Sequence, residues 1–86
     1  MAHMAHIDSN NKVTAVHAVA NEAIGGGVFP DDEPTAQAFM ATLGLERRGY
    51  TGTWLMTSYN NNFRGRFAGR RSRYDPDLDE FVRDDA

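Results

Sequence analysis

The absence of cysteine from a chain of 86 residues narrows what it can fold into more than any motif it carries. Domains near this size bury only about 60–65% of the surface their unfolded chains expose, so their stability is slim. With no disulfide and no thiolate zinc site to brace it, the chain has material for one apolar core. A single domain over residues 1–86 is the expectation, with 83–86 a frayed tail. Association with other subunits is then a natural further source of stability, since a partner that binds only the folded form shifts the equilibrium.

The patterning predicts an α+β fold: a small antiparallel sheet built from two hairpins plus a central strand, packed against one helix. Two short apolar runs, the first ending at Ile7 and the second covering Val13 to Ala20, flank an Asn-rich link at Ser9-Asn10-Asn11. Asparagine tolerates the left-handed backbone of tight hairpin turns. The second run carries three valines and a threonine and is apolar on both faces, which predicts a central or doubly covered strand. Gly25-Gly26-Gly27 and Asp31-Asp32-Glu33-Pro34 lead into a helix, with Pro34 in its first turn and acids beside its positive end. Ala36, Phe39, Met40 and Leu43 follow the spacing of one buried helical face, and Gly44 closes it. Thr53 to Tyr59 is the strongest strand, with Trp54 expected in the core beneath the helix. A second hairpin runs from Ser72 to Val82, turning at Pro76.

Little here supports catalysis or metal binding. His3 and His6 are three apart, so on a strand they point to opposite faces and share no metal. His17 with Asp8 lacks a matching nucleophile. The glycine triplet belongs to neither a phosphate-loop nor a dinucleotide pattern and reads as a flexible loop. No enzyme activity, cofactor or metal is expected. Nothing approaches the ~20 apolar residues of a membrane span, and no secretory leader is evident at the start.

The net charge of −3 hides a polarity: Arg64, Arg66, Arg70, Arg71 and Arg73 precede Asp75, Asp77, Asp79, Glu80, Asp84 and Asp85. Phe63, Phe67 and Tyr74 are interleaved with the arginines. Asn60, Asn61, Asn62, Phe63, Arg64, Arg66, Phe67, Arg70, Arg71 and Arg73 are therefore the candidate interface, read as a docking arm. Arg64, Arg66, Phe63 and Phe67 are expected to contribute most. The acidic segment offers salt-bridge partners within the hairpin or across a subunit boundary. Alternatively, residues 63–74 bind single-stranded nucleic acid, with arginines on phosphates and rings on bases.

Read in order, Met1-Ala-His-x-Ala-x-Ile-Asp-x-Asn-Asn-x-Val-Thr-x-Val, then Trp54-x-x-Thr-Ser-Tyr-Asn-Asn-Asn-Phe-Arg, then Phe67-Ala-Gly and Tyr74-Asp-x-x-x-Asp-x-Phe, the chain resembles a family of small proteins encoded by marine tailed phages, cyanophages in particular. The resemblance spans nearly the whole chain and implies that Met1-Ala-His is a native start. Family members often carry a Trp- and Pro-rich C-terminal extension. They usually continue past Ala68-Gly69 with an apolar, glycine-containing strand, where this chain has Arg70-Arg71-Ser72-Arg73. The resemblance implies a phage origin more than an activity; the expectation built on it is a virion accessory protein, assembled in the host cytoplasm and present in many copies on a symmetric particle, with other phage structural proteins as partners. A regulator of a host protein is the remaining alternative.

Overall fold

A computed structural model describes residues 2–69 and 71–84 and shows an α+β fold. β1 (Ala2–Ile7), β2 (Val13–Val19) and β3 (Thr53–Thr57) form an antiparallel sheet in the order β2-β1-β3. β4 (Ser72–Asp75) and β5 (Glu80–Arg83) form a separate hairpin, and the one α-helix among the described residues, α1, covers Glu33–Ala41.

The β1-β2 turn forms for the anticipated reason. Asn11 sits at φ 63°, and Asp8 Oδ1 accepts from the backbone N–H groups of Asn10 and Lys12, so the aspartate replaces ladder bonds that the turn removes. The centre of the sheet, however, is β1 rather than β2. Five of the six β1 residues are buried, whereas Thr14, His17 and Ala18 of β2 are exposed. The reason is small size: Ala2 and Ala5 leave room for a layer on each side of β1, and β3 pairs with β1 in preference to the more β-branched run.

Each face of β1 therefore carries its own core. On one, Met4 and Met56 lie opposite each other and pack with Val19, Ile24, Ala36 and Met40 beneath the helix. On the other, Ala5, Ile7, Leu55 and Val13 meet Ala68 and Phe81, the latter delivered by the hairpin. The hairpin also touches the sheet edge at the start of β2, where Lys12 lies opposite Arg73 and the Tyr74 N–H donates to Asn11 O at 2.7 Å.

Two core expectations shift. α1 ends at Ala41, two residues short of Leu43, and the chain turns away at Gly44 (φ 68°), leaving Leu43 40% exposed. Trp54 packs against the helix-side core but stays half-buried at its rim, with Tyr50 and His6 as ring neighbours. Gly52, just before β3, is required by proximity: a Cβ there would lie 1.9 Å from Ile7 O.

Candidate functional site

The Arg- and Phe-bearing segment is a strap laced to the body rather than an arm held out from it. Its turn at Asn60-Asn61-Asn62 is fixed from both sides: the Asn62 N–H donates to Ser58 Oγ at 2.9 Å, and Asn61 Oδ1 accepts from the Phe67 N–H at 2.7 Å. Thr57 Oγ1 accepts from the Ala68 N–H at 2.9 Å, which closes the loop over β3. Phe63 turns inward and stacks on Phe29 with ring centroids 4.2 Å apart.

Arg64 corrects the expectation of an outward docking arginine most sharply. Its side chain is only 8% exposed, because three elements converge on it. Nη1 and Nη2 grip the two carboxylate oxygens of Glu33 in the first turn of α1, Nε donates to Asp79 Oδ1 at 2.9 Å, and Nη1 also reaches Met56 O at 3.2 Å. The guanidinium lies 4.8 Å from the Phe29 ring centroid and 5.8 Å from that of Tyr74. The planar fork suits this task, since its three nitrogens make four bonds here, two of them a bidentate grip on Glu33, whereas a lysine offers three donors on a single nitrogen. Burial opposes the charge, but Glu33 and Asp79 more than offset it and leave the Arg64 pKa raised. The Tyr74 hydroxyl donates to Asp79 Oδ1 at 2.6 Å. That bond, helped by Arg64, holds the Asp79 carboxyl below its usual range, while burial and Asp79 push the Tyr74 phenol up to about 12. Arg64 and Asp79 both adopt left-handed backbone, φ 53° and 51°, a strain that the shared ion pair helps to hold.

Of the other predicted residues, Arg66, Arg71 and Arg73 are exposed and make no ion pair within 4 Å among the described residues, and Asn60 lies exposed in the turn. Arg70 lies outside the described residues. Phe67 is half-buried and joins two residues that the sequence reading did not assign to an interface, His3 and Tyr59. His3 stacks on Tyr59 at 5.8 Å, and Phe67 meets each edge-on at 5.5 Å. Tyr59 is 69% exposed. The trio joins Phe67 of the predicted site to two rings beside it, of which Tyr59 is the most exposed. Its signal was within reach: His3, facing Thr57 in the β1-β3 register, shares a sheet face with the residues leading to Tyr59.

The same strap finishes the outer edge of β3. The Met56 N–H donates to a Glu33 carboxylate oxygen at 2.8 Å, Arg64 caps Met56 O, and Gln37 Nε2 donates to Trp54 O at 2.8 Å. Side chains thus occupy backbone groups that an incoming strand would use.

His6 is the buried imidazole, 3% exposed, and its ring is fully occupied. Nε2 accepts from the Gly52 N–H at 2.8 Å, which fixes the proton on Nδ1, where Thr14 Oγ1 lies at 2.5 Å. Burial lowers its pKa, with Asp8 pulling weakly the other way. A lowered histidine pKa means that the unfolded chain takes up a proton the folded chain refuses, so this contribution to stability is present above about pH 6.5 and lost as the pH falls through the folded value. Urea unfolding is expected to show lower stability at pH 5 than at pH 7.5. A His6 ring resonance titrating at or above 6.5 would contradict this assignment.

Comparison of the chain with protein-family models, curated proteins and solved structures finds no match.

Proposed function

We propose that the protein is a non-enzymatic assembly subunit, a virion accessory component of a tailed phage that acts through protein contacts on the capsid exterior or on a tail or connector element. The observation that carries the protein-contact half is the trio of His3, Tyr59 and Phe67: rings already packed on one another, with Tyr59 open to solvent at 69%. Pre-ordered aromatic side chains lose little entropy on docking and commonly dominate binding energy. The phage half rests on the resemblance of the Trp54 to Arg64 stretch and the chain start to small phage proteins. Repetition on a symmetric particle makes even weak contacts effective.

Quantitative mass spectrometry of purified particles of the encoding phage is expected to find the protein at a fixed ratio to a capsid or tail protein. Tyr59→Ala should lower its occupancy about tenfold or more, as for loss of a hot-spot aromatic, with no change in thermal stability because the ring is exposed. Absence from intact particles would overturn the reading. The nucleic-acid alternative keeps Arg66, Arg71 and Arg73 but loses Arg64 to the interior. Retention on single-stranded nucleic acid that falls steeply with salt would favour it instead.

A further inference from the structure

A cleft of about 410 Å³ opens at the His6 and Trp54 end of β1, between the last turn of α1 and a short 3-10 turn at Leu45–Arg48. Neither the aromatic trio nor the strap borders it. Its walls are largely apolar, with Met40, Leu45, Tyr50 and Trp54 along them. The Tyr50 and Trp54 rings lie with centroids 6.2 Å apart and planes tilted by 49°. The buried His6 imidazole meets Tyr50 at 5.2 Å and Trp54 at 5.0 Å, both edge-on. With that ring packed against each of them, the two are held in place before any ligand arrives, which lowers the ordering cost of binding.

The charge around the cleft has one sign. Glu46 is the single charged residue lining it, is exposed, and makes no ion pair within 4 Å among the described residues. α1 ends at Ala41, so its negative dipole end reaches the cleft through Met40 and Ala41, and the last turn carries no basic residue to cancel it. Gln37 commits its amide N–H to Trp54 O at 2.8 Å, which leaves its Oε1 without a hydrogen bond among the described residues. The two arginines that follow Glu46 do not answer it: Arg48 borders a neighbouring cleft on the other side of Tyr50, and Arg47 borders neither.

From this combination we infer that the cleft is a binding site for a small quaternary ammonium compound, its cationic head set against Trp54 and Tyr50 with Glu46 supplying the counter-charge. Ring faces attract cations electrostatically, and more strongly where water is displaced. A quaternary nitrogen is weakly hydrated, and its methyl groups suit the apolar walls at Met40 and Leu45. A primary ammonium would surrender a strong hydration shell for a single carboxylate. The volume falls within the range of small-molecule sites, about 300–1,000 Å³, so the occupant is a free compound enclosed whole rather than one side chain of a partner.

This site is separate from the protein-contact role and is tested without particles. The chain has one tryptophan, so Trp54 emission reports the cleft without a label. Choline chloride, titrated from about 0.01 to about 50 mM at an ionic strength held constant with sodium chloride, is expected to change that emission saturably, with a Kd of about 1 mM or below. Dimethylbutanol, the neutral carbon isostere of choline, should bind about tenfold more weakly. Glu46→Gln removes a carboxylate that has no partner in the fold, so it should leave the melting temperature unchanged and weaken choline about threefold. Tyr50→Leu should weaken it about tenfold. No saturable change with choline up to about 50 mM overturns the site. Equal binding of the isostere overturns the cation assignment, as does unchanged affinity in Glu46→Gln. A trimethyllysine peptide bound about a hundredfold tighter than choline overturns the free compound in favour of a protein side chain. The virion role is untouched by any of these outcomes.

Discussion

Arg64→Ala is expected to lower the unfolding free energy by about 4 kcal/mol, because it strands a largely buried Glu33 carboxylate and frees the hairpin turn at Asp79. For a domain of this size the melting temperature should fall by about 15 °C or more. Glu33→Ala alone should also destabilise. The double variant should cost less than the sum of the singles by about 2 kcal/mol, since either deletion already breaks the same fork. An outward docking arginine behaves otherwise: its removal leaves stability within about 0.5 kcal/mol. Thermal unfolding of the three variants therefore decides whether Arg64 is a structural clamp, and an unchanged melting temperature for Arg64→Ala would overturn that assignment.

Phe81→Ala is expected to cost about 4 kcal/mol as well, through a different route. Phe81 is 1% exposed and is the largest fully buried side chain of the second core. Its backbone N–H also donates to Arg64 O at 2.8 Å, and Gly65 bridges to it in parallel. A two-stranded hairpin has little stability of its own. Hydrogen exchange should show β4 and β5 opening first, well ahead of the β1 amides, in Phe81→Ala. Uniform loss of protection across all strands would mean that the two cores melt as one unit.

What could be read from the sequence was what neighbours along the chain decide. Asn11 announced the first turn, Pro34 with its preceding acids the helix start, and Thr53 to Tyr59 a strand, of which Thr53–Thr57 forms, because turn geometry, capping and β-propensity are local. The choice of central strand was not local. β1 wins its place by pairing with residues about fifty positions further on, and its alanines count there as thin spacers between two layers rather than as weak strand formers. Arg64 escaped for a related reason. In the sequence it belongs to an arginine cluster that reads as surface, whereas its partner Glu33 lies 31 residues upstream and looked like one acid among three before Pro34. Only the packed fold singles out that arginine from its neighbours, and Arg66, Arg71 and Arg73 kept the expected exposure, with no carboxylate of the described residues within ion-pair distance of them.

The stitching of β3 by Glu33, Arg64 and Gln37 has a consequence for growth. A flank whose peptide groups are already taken offers no template for a further strand, so the blocked flank acts as a terminator on accretion. Unpicking the stitch at Arg64 would bare the Met56 carbonyl and begin to reopen that flank to an incoming strand.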